Sequence, residues 1–340
     1  MSLLGRLHRG ESYLDFRPAW RISLPVSAAV AVVALLLLLV RGLDLTIDFE
    51  GGGVWEVPVS SDVTVGDARR ALQLGEGRVQ LVEDPNLGTF LRIQSGTDDV
   101  ERSPEIVEAL ADLAGVSTDE VSVSTASPTW GSQITGQAVR ALVFFFIAVA
   151  LYLAWRLEWR MAVGALIAVV HDLAVTVGIY SLFSFDVSPA TVIALLTILG
   201  YSLYDTVVVF DRILENERSQ AFDGSSPTDL INRSMNQVLM RSINTTFTTV
   251  LPVASMLVVG GVFLGGDTLR EFALALFIGL LLGTYSSVFI AAPFVAWLKE
   301  RTPPSLEDGA GGRRRRVAED GDEAGAVATV TPRGRKKKRR

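Results

Sequence analysis

Residue 205 is an aspartate inside an otherwise apolar run, Gly200-Tyr201-Ser202-Leu203-Tyr204-Asp205-Thr206-Val207-Val208-Val209-Phe210. A carboxylate in hydrocarbon costs from about 2.5 to well over 10 kcal/mol, so it persists only where it is neutralised, paired or wetted. A group held in that way can take up and release a proton. Another polar-flecked apolar segment opens on Arg241 and continues Ser242-Ile243-Asn244-Thr245-Thr246-Phe247-Thr248-Thr249, which makes its guanidinium the opposite charge expected for Asp205. Tyr201, Ser202 and Thr206 give Asp205 polar company. Asn244, Thr245 and Thr248 fall at i+3, i+4 and i+7 from Arg241, one polar stripe on a helix. Asp205 and Arg241 are therefore the candidate proton relay, with those six residues in support. The plain alternatives are a helix-end carboxylate turned toward headgroups and an arginine that only fixes topology.

His171-Asp172 forms a second polar pair in an apolar run, read as hydrogen-bonded packing because no third ligand is spaced to complete a metal site. Cysteine is absent, which removes disulfides, thiolate nucleophiles and cysteine-ligated metals. Neither HExxH, GxSxG nor a phosphate-binding Gly-Lys-Ser/Thr pattern occurs. Hydrolytic or nucleotide-driven chemistry is not expected, the chain does not read as an enzyme, and no cofactor or metal is implied.

The elements that must hold these residues are membrane spans. The 340 residues are 49% hydrophobic, and the apolar residues gather in runs near the length a helix needs to cross a bilayer. Six spans are expected, at 22–40, 138–155, 161–183, 189–210, 243–264 and 272–298. The first is too long for a signal-peptide core and lacks a small-residue cleavage site, so it is expected to be retained. Between 42 and 137 there are 17 acidic and 5 basic residues, while the rest of the chain holds 20 acidic and 26 basic. Arginine and lysine flank the first span, fill the 156–160 turn and the 211–240 link, and follow the sixth span. The positive-inside rule then puts both termini in the cytoplasm (1–21 and 299–340) and residues 41–137 outside a multi-pass cell-membrane protein.

That outer region reads as a small α+β domain. A strand at 54–59, a capped helix opened by Ser61-Asp62-Val63-Thr64, a hairpin around 84–88, a helix opened by Ser103-Pro104-Glu105 and a strand at 121–123 give the βαββαβ, ferredoxin-like order. The cytoplasmic link 211–240 should carry an amphipathic helix from Pro227. Gly279 and Gly283 are spaced to let two helices approach. Beyond Thr302-Pro303-Pro304 the chain is low-complexity and ends in a basic block, expected to be a disordered tail that tethers to lipid, with contact to ribosomal RNA or an acidic partner as the alternative.

The segment Gly200-Tyr201-Ser202-Leu203-Tyr204-Asp205-Thr206-Val207-Val208-Val209-Phe210-Asp211-Arg212-Ile213-Leu214-Glu215-Asn216 resembles the fourth-span signature of the SecD/SecF family of the bacterial Sec protein-export machinery. The likeness extends to Asn232-Arg233-Ser234-Met235-Asn236-Gln237, to 241–249, to His171-Asp172 and to Ile47-Asp48-Phe49-Glu50-Gly51-Gly52, and covers residues 10–300. Tyr204, Glu50 and the 130–136 segment depart from the family pattern, Tyr204 standing where asparagine is usual. The resemblance implies half of a transporter of the resistance-nodulation-division superfamily, which with SecD uses the proton motive force to promote translocation across the cytoplasmic membrane. Implied partners are SecD as a heterodimer, the SecYEG channel, YajC, the translocating preprotein and membrane lipids; nucleic acid is not expected. By motif position the family's intramembrane aspartate falls on Asp205 and its partner arginine on Arg241. The rivals are a small-molecule or lipid exporter of the same superfamily and a passive scaffold stabilising SecD.

Overall fold

Three of the long helices begin at a Ser-Pro step. Ser127, Ser188 and Ser226 each accept a hydrogen bond on the side-chain oxygen from the backbone N–H three residues on, at Trp130, Thr191 and Asp229. The following proline occupies the first helical position, where no N–H is needed and its fixed φ already suits a helix. The computed structural model describes residues 14–60, 63–72, 77–84, 88–219, 225–260 and 267–301. Residues 1–13, the Ser61-Asp62 cap signal, the tip of the 84–88 hairpin, the 261–264 end of the expected fifth span and the basic tail lie outside the described residues.

The long helices are α1 (Arg17–Arg41), α6 (Pro128–Arg156), α7 (Trp159–Phe183), α8 (Pro189–Glu217) and α9 (Pro227–Val258), followed by α10 (Asp267–Ser286), a π-helical turn (Ser287–Ala291) and α11 (Ala292–Arg301). Five runs among the described residues are long and apolar enough to cross a membrane: α1, α6, α7, α8 and Thr268–Arg301. α9 is longer than α1, α6, α7 or α8 but carries Arg241, Asn244 and four threonines along its middle. The expected separation of a link helix from a fifth span does not occur, because nothing between Leu239 and Ile243 breaks a helix and the two merge into α9. α6 likewise starts at Pro128, well ahead of its apolar run. α1 and α6 present wide apolar faces outward, including Ile22, Val26, Leu39, Phe144, Leu151 and Trp155, as lipid-facing helices must. α7, α8 and α10 form the packed centre. Gly279 and Gly283 of α10 lie directly on α8: a Cβ at Gly279 would meet Ile198 at 2.3 Å and one at Gly283 would meet Ser202 at 2.9 Å.

Between α1 and α6 sit short β1 (Asp44–Leu45) and α2 (Ile47–Glu50), then β2 (Gly52–Pro58), α3 (Val65–Leu72), β3 (Arg78–Asp84), β4 (Gly88–Ser95), α4 (Thr97–Val100), α5 (Ser103–Ala114) and β5 (Ser122–Ala126). Strands β2 to β5 form one antiparallel sheet in the order β3-β4-β2-β5. Alternation along a strand separates its two faces. Trp55, Val57, Leu91 and Ile93 are buried with Ala68 and Leu72 of α3 and Ile106 and Leu110 of α5, and Trp55 Nε1 donates to Ser103 Oγ at 2.9 Å. The intervening residues Val54, Glu56, Arg92 and Gln94 line a cavity of about 440 Å³ shared with Thr46, Asp186, Pro189 and Glu271. The sheet therefore lays its polar face over the ends of α8 and α10.

Two contacts fasten it there. β1 pairs in parallel with β6 (Asp186–Val187), a two-residue strand between α7 and α8. Arg78, the first residue of β3, bonds both Asp44 and Asp186, the latter at 2.5 Å, and Gln94 Nε2 donates to the Leu45 carbonyl at 3.1 Å.

Candidate functional site

Asp205 lies on the inward face of α8 and is 6% exposed. Its Oδ1 accepts from Ser242 Oγ of α9 at 2.9 Å. Its Oδ2 is buried without a hydrogen-bond partner. Arg241 does not pair with it. The guanidinium lies on the outer side of α9, where Nη2 donates to the Tyr204 hydroxyl at 3.1 Å, and among the described residues no carboxylate forms an ion pair with it. The expected partnership is thus shifted by one residue on each helix, 204 with 241 and 205 with 242. One residue is a 100° turn of a helix, so Tyr204–Arg241 face outward while Asp205–Ser242 face the centre.

The same rotation sorts the supporting residues. Asn244 and Thr248 share the exposed stripe of Arg241, and Thr248 Oγ1 donates to the Asn244 carbonyl at 2.9 Å. Thr245, half-buried, donates to the carbonyls of Arg241 and Ser242. The inward positions of α9 are Ser242 and Thr246, the latter sharing a 2.7 Å hydrogen bond with Thr284 of α10. Tyr201 of α8 and Thr249 of α9 share a hydroxyl bond of 3.1 Å. Thr206 Oγ1 meets the Ser202 carbonyl at 3.0 Å and Ser287 Oγ at 2.8 Å.

Ser202 turns to another carboxylate. Its Oγ donates to Asp172 Oδ2 at 2.6 Å, and Ser286 Oγ donates to the same oxygen at 2.7 Å. Asp172 is 1% exposed, with His171 Nδ1 at 3.3 Å from its Oδ1. The hydrogen-bonded packing expected of His171-Asp172 is present, but it joins three helices. Sequence reasoning missed Ser242, Ser286 and Ser287; Gly283, which brings α10 onto Ser202, is the signal that pointed toward them. Among the described residues no three His, Cys, Asp or Glu side chains gather as a metal site.

Outward-facing polar groups continue along the α8–α9 surface. Thr197, Tyr204, Arg241, Asn244, Thr248 and Ser255 are exposed on helices that otherwise present apolar side chains. A groove of about 620 Å³ runs past Tyr152, Tyr204, Asp211, Arg212 and Arg241. Several of them are bonded locally, Thr197 to the Ile193 carbonyl, Thr248 to the Asn244 carbonyl and Ser255 to the Leu251 carbonyl, yet exposed polar side chains remain costly against hydrocarbon.

The architecture is that of a polytopic helical membrane protein with a buried carboxylate at its centre and a small α+β unit after the first helix. Residues 106–301 match the family described as protein export membrane protein SecD/SecF, C-terminal, and the chain belongs to that family. It is 43% identical over 308 residues to the protein translocase subunit SecF of Streptomyces coelicolor, covering 89% of this chain and 82% of that one. It is 39% identical over 311 residues to SecF of Mycobacterium tuberculosis, covering 88% and 70%. The crystal structure of Thermus thermophilus SecDF, a translocon-associated membrane protein, superposes with a TM-score of 0.74 at 32% identity over 88% of this chain. The chain spans 40% of the length of that SecDF molecule. The resemblance borne by 200–216 is upheld, and neither rival family is favoured.

Proposed function

We propose that the chain is the SecF-type half of a two-part complex that, with a SecD-type half, uses the proton motive force to promote protein translocation across the cytoplasmic membrane. Its SecDF relatives carry both halves in one chain, of which this chain matches 38% or 40%, and the polar α8–α9 surface is the side that would receive the other half. SecYEG, YajC and the translocating preprotein are the further partners this assignment brings. α9 would cross the membrane as the fifth of six spans despite its polar middle, sheltered by that partner, with both termini cytoplasmic. The strand order β3-β4-β2-β5 supports a ferredoxin-like outer domain.

The observation that carries the mechanism is the buried Asp205 carboxyl, held by one serine and otherwise unpaired. A carboxyl held by a hydroxyl keeps its place whether it carries a proton or not, which an ion pair with arginine would not allow. Binding and release of a proton there changes the charge between α8 and α9. The membrane potential contributes about 2.3 kcal/mol per charge per 100 mV, enough to bias a two-state helix arrangement. Arg241, on Tyr204, sits at the partner-facing surface, positioned to approach or leave Asp205 as the halves move. The outer domain, pinned to α7–α8 through Arg78, would follow that movement and hold or release an emerging chain.

The test is Asp205→Asn in the complex with the SecD-type partner, reconstituted in vesicles. Export is expected to lose its response to an imposed proton gradient while assembly stays intact. A wild-type response in that variant removes the relay.

A further inference from the structure

The last span changes its hydrogen-bond register at the π turn Ser287–Ala291, where the Ala292 N–H reaches back to the Ser287 carbonyl. The next residue, Pro293, has no N–H to give. The carbonyls four and five residues before it belong to Phe289 and Val288, and these are the two that face the missing donor. Both are filled from α1. Trp20 Nε1 donates to the Val288 carbonyl at 3.2 Å and Ser23 Oγ to the Phe289 carbonyl at 2.9 Å. At membrane depth a freed carbonyl has no water to turn to, so a neighbouring helix must supply the donor. The same stripe of α1 continues to Ser27, which shares a 2.9 Å hydroxyl bond with Tyr285, and begins at Phe16, whose ring meets Phe289 edge-on. Trp20, Ser23 and Ser27 are three of the four buried positions of α1; the fourth, Ala34, lies on Gly178 of α7, where an added Cβ would meet it at 2.3 Å. An otherwise lipid-facing helix thus spends its polar side chains on one turn.

The segments on either side of that turn are both fixed. Before it, Gly279 and Gly283 lock α10 on α8; after it, Gly164 of α7 admits Val295, and Lys299 is held by Glu158 and Glu217. A π turn holds more residues than an α turn, so a return to the α register would rotate one packed segment by about 100° against the other. The first residue of the turn touches the functional helix: Ser287 Oγ meets Thr206 Oγ1 at 2.8 Å, and Thr206 follows Asp205 in the chain.

We infer that Trp20 and Ser23 are positioning residues for the Asp205 site: by supplying the donors that Pro293 withholds, they keep the last span in its π register and Ser287 on α8 at the residue next to Asp205. They act through the turn and touch neither the carboxyl nor its proton. The inference rests on the assignment of Asp205 as a proton carrier.

The experiment compares export with and without an imposed proton gradient in vesicles holding the full complex, beside a thermal melt of the same complex. Ser23→Ala and Trp20→Phe each leave one carbonyl bare, and each should cut the gradient-driven gain in export about fivefold, the factor one hydrogen bond is worth. Pro293→Ala returns the backbone donor and lets the span close as a regular α-helix. Its melt should not fall below that of the unsubstituted complex, yet its gradient-driven gain should fall as far as that of Ser23→Ala, so it carries the test even where the α1 variants fail to assemble. In the combination of Ser23→Ala with Pro293→Ala the Phe289 carbonyl is bonded within its own helix; the melt should recover and the gradient-driven gain should not. Recovery of both would make Ser23 a structural residue only and overturns the inference. So does an undiminished gain in assembled Ser23→Ala and Pro293→Ala complexes with Asp205→Asn inactive, a result that leaves the role of Asp205 standing. Gradient-driven export that survives in Asp205→Asn removes that role and the positioning role with it.

Discussion

Two of the places where the molecule sets carboxylates near an arginine are treated oppositely. At the outer junction Arg78 lies directly on Asp44 and Asp186, three side chains between a quarter and a third exposed. In the membrane Arg241 stands one residue off, on Tyr204, and Asp205 is left with Ser242. A direct pair fixes geometry and fixes charge, because removing either partner strands the other. A hydroxyl-held carboxyl keeps its geometry and leaves its charge free to change. The junction is built to hold, whereas the membrane site has the arrangement that the proposed proton switch requires.

The comparison breaks first at Arg78. Arg78→Ala leaves two neighbouring carboxylates without their shared cation; loss of one partner of a buried pair costs several kcal/mol, and the partial exposure here reduces that to about 2 kcal/mol. Faster hydrogen exchange at the β1 and β6 amides would register it, and unchanged exchange would show that the pair does not hold the outer unit. Ser242→Ala comes next, since it strips Asp205 of its remaining hydrogen bond and leaves the whole buried carboxyl unsatisfied, at about 1–2 kcal/mol. A thermal melt in detergent measures that loss. Arg241→Ala should change the stability of the isolated chain by less than about 0.5 kcal/mol, as exposed substitutions do. Its effect should instead be on export by the complex. A large loss of stability in the isolated chain would mean that Arg241 is a structural partner like Arg78 after all.

Asp205 was legible because a charge in an apolar run is costly wherever the chain goes. Its partner was not, because the polar stripe was anchored on Arg241 and i+3, i+4 and i+7 from that residue trace the outward face. The inward face starts at Ser242, a residue type too common in membrane helices to stand out. Ser286 and Ser287 were hidden in the same way inside an apolar segment, and only the glycine spacing beside them hinted at close packing. The outer unit was readable in its order, since alternation in β2 and β4 and the hairpin between β3 and β4 are local signals. Its attachment was not: β1 and β6 are two residues each, and pairing across 142 positions of sequence (Asp44 with Asp186) leaves no periodic trace. α9 carries no helix breaker near 240, its internal Pro252 lying farther on, so the boundary expected near 240 had no physical basis beyond the change in composition.

The finest test of the contrast is the pH response of the junction. Burial pushes the Asp186 carboxyl above the usual range, while Arg78 and Arg92 pull it back and Asp44 adds to the rise. A carboxyl with a raised folded-state value binds its proton more tightly folded than unfolded. Its contribution to stability is therefore greatest below the unfolded value near 3.8 and declines as pH rises through the folded one. The docked junction should loosen slightly across that interval, seen as faster exchange of the β6 amides at higher pH. Asp186→Asn, which cannot titrate, should flatten the response while keeping the β1–β6 pairing. If exchange instead slows as pH rises, Arg78 outweighs burial at Asp186, and the junction is a purely charge-locked clasp with no proton of its own.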